Sequence, residues 1–157
     1  MAAGTLLAAA PVQAQSGGSA PFAGSAERAG SDRVLTAPAA PAEARADVGV
    51  RAVSPQVTPA AERVRLVTPG GSYTCSYGRL CAQVWDEAAG KWKVFDFYTC
   101  RTYSLSNWIG IGAYANNQTP GTVARFYNSS GAVIRTSIAP DWDTSYNWNP
   151  VWKIKPC

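Results

Sequence analysis

The sequence predicts a small all-β domain, a sandwich or barrel, and three observations point to it. Aromatic residues are confined to the C-terminal half, short β-prone runs alternate there with turn residues, and four cysteines lie in the same stretch. Of seventeen aromatic residues only Phe22 precedes Tyr73. A stretch with so little bulky apolar surface cannot offset the roughly 1 to 2 kcal/mol per residue that ordering a backbone costs, so the core must be built from the C-terminal part. No run of helical period there exceeds about two turns.

Residues 1–14 read as the end of a signal peptide. Thr5 to Pro11 is a short apolar stretch, and Val12-Gln13-Ala14 places small residues where signal peptidase cuts, with the true start lying upstream. Residues 15–71 are rich in Ala, Pro, Gly and Ser, as in Ala37-Pro38-Ala39-Ala40-Pro41, and read as a disordered linker. Within it Ala60 to Val67 is a brief helix or an entering strand, the Val64, Leu66 alternation favouring the strand. Thr68-Pro69-Gly70-Gly71 then marks the boundary of a domain running from Ser72 to Cys157. Leu80 to Trp85 and Lys91 to Tyr98 form a hairpin about Asp86-Glu87-Ala88-Ala89-Gly90, with Gly90 able to take positive φ. A second hairpin joins Thr122 to Tyr127 with Ala132 to Thr136 through Asn128-Ser129-Ser130-Gly131, and Thr122, Ala124 and Phe126 share one face of its first strand. Val151 to Ile154 supplies a closing strand.

Cys75, Cys81, Cys100 and Cys157 are an even set in a domain of about the size at which a hydrophobic core alone is marginal. They read as a disulfide framework formed in an oxidising compartment. Of the three pairings that four cysteines allow, Cys75 with Cys81 and Cys100 with Cys157 is preferred: the first closes a tight ring over Tyr77-Gly78, the second ties the final residue to mid-domain, and the other two stay open. The chain has no histidine, which removes the commonest general base, the Ser-His and Cys-His nucleophile pairs and most zinc sites together. The acids Asp86, Glu87, Asp96, Asp141 and Asp143 single out no pair spaced for glycoside hydrolysis. A non-enzymatic protein without metal or cofactor is therefore expected. The net charge of +4 contains no basic cluster of five or more, and no apolar run approaches the roughly 20 residues of a membrane span, so neither nucleic acid nor a membrane span is expected.

Cys75-Ser76-Tyr77-Gly78-Arg79-Leu80-Cys81, followed by an aromatic, a Gly-containing turn and a second aromatic strand, resembles the opening of actinobacterial metalloproteinase inhibitors. Their pattern is Cys, five residues including a Gly, Cys, and their fold is a βγ-crystallin-like Greek key. The stretch from Trp108 to Thr119, with its aromatic-Gly and Asn-rich character, is similar to a turn in secreted proteins grouped with that family. The resemblance covers most of Tyr73 to Tyr127. It implies a small disulfide-stapled Greek-key sandwich, secreted behind its linker, that binds an extracellular metalloprotease. In the family's type member the second cysteine pair is close in sequence and the reactive bond directly follows one of its cysteines. Here Cys100 has no near partner, and Thr99-Cys100-Arg101 is the nearest local match. Crystallin-type calcium sites use an Asn/Asp pair followed two residues later by Ser/Thr-Ser, a pattern that Asn116-Asn117-Gln118-Thr119-Pro120 leaves incomplete, so no calcium is expected.

Two segments are candidate reactive loops. One is Thr99-Cys100-Arg101; the other is the Arg79-Leu80 bond in the Cys75 to Cys81 ring, whose Leu would fill an apolar pocket of a thermolysin-like protease. Either can equally be a structural corner. An inhibitor of this kind presents backbone already ordered in extended form, so that little entropy is lost on binding. A rival reading rests on Trp142, Trp148 and Trp152: exposed aromatics beside Asn and Asp stack on sugar rings and would make a cell-wall polysaccharide-binding face. The bland alternative is that they rim the core with indole N–H groups bonded to turn carbonyls. A killer-toxin-like secreted protein is a third reading.

Overall fold

The computed structural model describes residues 1, 30–42, 44 and 52–157; apart from Met1 the signal-peptide segment lies outside them, as does much of the linker. Within the described residues the chain is all β, without an α-helix. The strands are β1 (Arg33–Thr36), β2 (Gln56–Thr58), β3 (Arg63–Val67), β4 (Ser72–Cys75), β5 (Arg79–Asp86), β6 (Lys91–Phe97), β7 (Tyr103–Ser106), β8 (Ile111–Asn117), β9 (Val123–Tyr127), β10 (Val133–Ile138), β11 (Asp141–Asn147) and β12 (Lys153–Lys155). They build two antiparallel five-stranded sheets, in the orders β11-β8-β5-β6-β3 and β10-β9-β12-β7-β2, while β1 pairs with β4 as a separate ribbon.

Alternation along β6 explains how these pieces stack. Phe95 and Phe97 point into a core shared with Leu80 and Val84 of β5, Phe126 of β9 and Ile154 of β12, which fills the space between the two large sheets. Trp92 and Val94, earlier on β6 and of the opposite parity, point the other way, into a second core with Tyr73 of β4, Val67 of β3 and Ala37 just beyond β1. The sheet containing β5 and β6 is thus buried on both faces, and both strands read as nearly unbroken apolar runs. β9, in the other sheet, is covered on one side only and alternates accordingly: Ala124 and Phe126 are buried, while Val123, Arg125 and Tyr127 are half-buried.

From β5 onward the chain traces the same path twice. In β5 to β8 the first two strands form a hairpin, the fourth returns beside the first, and the third crosses to the opposite sheet. Strands β9 to β12 repeat this with the sheets exchanged, so two Greek keys interlock by trading their third strands. Both hairpins lie where their turn residues place them, with Gly90 at φ 59° and Gly131 at φ 84°. β8 lies close against β5 because residue 112 is glycine. A Cβ there would collide with the Gln83 carbonyl and the Trp148 indole, and that indole Nε1 donates to the same carbonyl at 2.8 Å.

The disulfides are Cys75–Cys81 and Cys100–Cys157. The first joins the ribbon to β5 in a buried setting beside Ala115 and Leu35, and the second joins the β6–β7 connection to the chain beyond β12.

The ordered structure does not begin at Ser72, which corrects the linker reading over its described parts. β3 forms one edge of a large sheet, β2 forms an edge of the other, and β1 completes the ribbon. These segments bring few bulky residues, so composition hides them, yet they satisfy groups the domain cannot. Trp92 Nε1 donates to Pro38 O at 2.9 Å, Trp108 Nε1 to Gln56 O at 3.0 Å, and Arg65 Nη1 to the buried Asp96 carboxylate at 2.7 Å.

Candidate functional site

The connection from β6 to β7 crosses from one sheet to the other, and its five residues, Tyr98 to Thr102, are all exposed. Its base is clamped by the residues that flank it: the buried rings of Phe97 and Tyr103 meet edge to face at 4.7 Å. Each part of the loop is then tied separately. The Arg79 guanidinium lies 4.1 Å over the Tyr98 ring and is itself held by Glu62, with Nε to Oε2 at 2.6 Å. Thr99 O accepts from Tyr103 Oη at 3.2 Å, Cys100 is bonded to Cys157, and Arg101 Nη2 donates to Ala60 O at 3.2 Å. The segment from Thr99 to Arg101 is a bend rather than the extended backbone expected of an inhibitor loop.

The structure brings one sequence-level candidate into this corner and removes another. Thr99-Cys100-Arg101 forms its tip. The Arg79–Leu80 bond is excluded as a reactive bond because Leu80 is 0% exposed, packed in the main core as alternation on β5 demands. Arg79 instead acts as a strut beneath Tyr98. Glu62 and Tyr103, which complete the corner, carried no local signal: Glu62 is 17 residues from the arginine it holds.

Beside the corner lies a charged cleft of about 320 Å³ lined by Glu62, Arg63, Ser76, Arg79 and Asp96. Asp96 Oδ2 accepts from Arg63 Nε at 2.8 Å and Arg65 Nη1 at 2.7 Å, while Oδ1 is buried and has no partner among the described residues. At the far end of the same sheet Trp85, Trp92, Ile109, Ile111 and Pro38 line an apolar cleft of about 420 Å³. Five separate chain segments meet there, so sequence carried no sign of it.

The three tryptophans proposed as one binding face do not form one. Trp148 is 0% exposed, surrounded by Trp108, Phe126 and Tyr146, and its polar sequence neighbours mislead because burial is decided by tertiary packing. Trp142 lies on edge strand β11 with the Arg33 guanidinium 3.6 Å over its ring, whereas Trp152 precedes β12 in the other sheet. Of these three, Trp148 bonds its indole N–H to a carbonyl, Gln83 O, but from the middle of the core rather than its rim; Trp92 and Trp108 likewise reach backbone carbonyls.

Tyr114 Oη donates to Asp141 Oδ2 at 2.9 Å and accepts from Arg135 Nε at 2.8 Å. Burial pushes the phenols of Tyr73, Tyr114 and Tyr146 from 10.0 up to about 12. A phenol with a raised folded pKa stabilises the fold fully below its unfolded pKa, and that contribution is lost as pH climbs from 10.0 through about 12. In an alkaline titration followed by phenolate absorbance, three tyrosines are expected to ionise late, together with unfolding. Tyr114→Phe should remove one late step; its removal of an early step would refute the assignment.

Among the described residues no group of three or more His, Cys, Asp or Glu is placed to hold a metal ion, and no helix is long and apolar enough to cross a membrane. Fold and corner together define a disulfide-stapled, all-β sandwich protein with an outer ribbon. Compared with protein-family models, curated proteins and solved structures, the chain matches none.

Proposed function

We propose that this protein is a secreted, non-enzymatic binder of an extracellular protease, of the peptidase-inhibitor type, and that the corner from Tyr98 to Thr102 is its contact segment. The observation that carries the reading is that five consecutive exposed residues are fixed by a disulfide, a ring clamp and two arginines. Such a segment loses little conformational entropy on docking, and immobilised side chains otherwise cost about 0.5 to 1.5 kcal/mol each. Arg101 and Tyr98 are residue types that dominate binding hot spots. The two disulfides are compatible with an oxidising, extracellular setting. The interlocked Greek keys support grouping the chain with the crystallin-like inhibitors that its Cys75 to Cys81 ring resembles.

The test is titration of the full-length protein into a thermolysin-type metalloprotease assay. Turnover should fall at near-stoichiometric ratios, and Arg101→Ala should weaken inhibition by about 30-fold, as truncation of a hot-spot arginine does. Unchanged turnover at excess protein, across metallo- and serine proteases, would refute the proposal.

A further inference from the structure

One large sheet is sandwiched between its partner sheet and the ribbon; among the described residues, nothing forms a second layer on the solvent side of β10-β9-β12-β7-β2. Residues directly paired across strands project to the same side, so the register maps this face. Thr136, Arg125 and Lys155 form one row, and Tyr127, Lys153, Ser104 and Thr58 form the next. Strand spacing places Arg125, Lys153 and Lys155 with their Cα atoms within about 7 Å of their nearest neighbour in the set.

The charge on this face is one-sided. No Asp or Glu occurs in any of its five strands, whereas the other large sheet carries Asp86, Asp96, Asp141 and Asp143. Arg135 turns toward Tyr114 and Asp141. That leaves Arg125, which reaches only Cys157 O at 3.4 Å, and Lys153 and Lys155, for which no acidic partner exists among the described residues. Arg125 and Lys155 stand directly opposite one another, a like-charge pairing that destabilises a sheet unless an anion lies over it. Hydroxyls from Thr58, Ser104 and Thr136 flank the three cations, and Tyr127 lies within the rows.

We propose that this sheet face binds an acidic polysaccharide, the cations meeting its acid groups while Tyr127 stacks on a sugar ring. An open sheet face suits a linear polymer, and three closely spaced cations suit one with an acid group on successive units. Disulfides persist outside the reducing cytosol, where polyanions are carbohydrate more often than nucleic acid. The site adjoins the corner, since Arg125 reaches Cys157, the disulfide partner of Cys100, but it uses other residues and does not depend on the protease reading.

The experiment measures binding of the full-length protein by calorimetry to polygalacturonate and dextran sulfate. Uncharged dextran, an oligo-dT strand and phosphatidylglycerol vesicles are the comparisons. Binding to at least one acidic glycan is expected, weakening on the order of tenfold between 50 and 200 mM salt. The K153A/K155A double variant, checked for unchanged near-ultraviolet circular dichroism, should lose at least about tenfold in affinity, with Lys91→Ala on the other sheet unaffected. No binding to any acidic glycan, equal binding by K153A/K155A, or tighter binding to oligo-dT or to the vesicles would each overturn the proposal.

Discussion

Cut at Ser72, the protein is expected to lose its near-ultraviolet circular dichroism and its cooperative urea transition, although almost all of its aromatic residues remain. The cut removes β1, β2 and β3 together with the partners they supply. Asp96, 1% exposed, would lose both Arg63 and Arg65; stripping a buried ion of its partners costs about 3 to 5 kcal/mol. The indole N–H groups of Trp92 and Trp108, each accepted by a removed carbonyl, would be left unpaired or exposed at about 1 to 3 kcal/mol apiece. Val94 and Trp92 would also lose the cover of Val67 and Ala37. These costs together reach the roughly 5 to 15 kcal/mol by which a domain is stable at all. A fragment from Ser72 to Cys157 that unfolds cooperatively at the full-length midpoint would show that the early strands are decoration. For the same reason every binding test belongs with the full chain.

How far the fold was legible depends on whether its causes are local. Both hairpins were readable because turn chemistry is local: Gly90 and Gly131 adopt the positive φ their turns need, and Asn128 Oδ1 accepts from Ala132 N across the second turn. The disulfide pairing that ring size and chain position favoured is the one formed, although sequence alone left the other two open. β8 and β11 were hidden for opposite reasons. Gly112 in mid-strand looks like punctuation, but it is a point of close approach to Gln83 and Trp148. β11 is an edge strand, and an edge facing water can be written in Asp, Thr, Ser and Asn. The short N-terminal strands contribute backbone edges and single polar partners rather than apolar bulk, and composition cannot register these. At the candidate site, Thr99-Cys100-Arg101 was singled out as the nearest match to the reactive bond of the family its ring resembles, while Glu62 and Tyr98 became part of the corner only through contacts formed on folding.

Replacing Cys100 and Cys157 together by alanine is expected to destabilise the protein by about 4 kcal/mol, against about 2 kcal/mol for the matching change at Cys75 and Cys81. The loop-entropy relation gives these values from sequence separations of 57 and 6 residues. Alanine rather than serine keeps the comparison clean, because Cys75 and Cys81 are 0% and 1% exposed and a hydroxyl there would add its own burial cost. Urea midpoints measured with both variants decide the order, and equal losses would show that ring size does not govern the staple. The larger effect falls on the corner, because Cys100 lies at its tip and Cys157 beyond the last strand. With the bond gone, the Phe97–Tyr103 clamp and the Arg79 and Arg101 contacts still hold the base and flanks, but the tip must be ordered on docking. If the proposed inhibitor reading holds, inhibition of a target protease should therefore weaken in the Cys100, Cys157 variant at temperatures where it is still folded, and persist in the Cys75, Cys81 variant. Rigidity at the tip, rather than global stability, is what separates the two outcomes, since both proteins are compared while native.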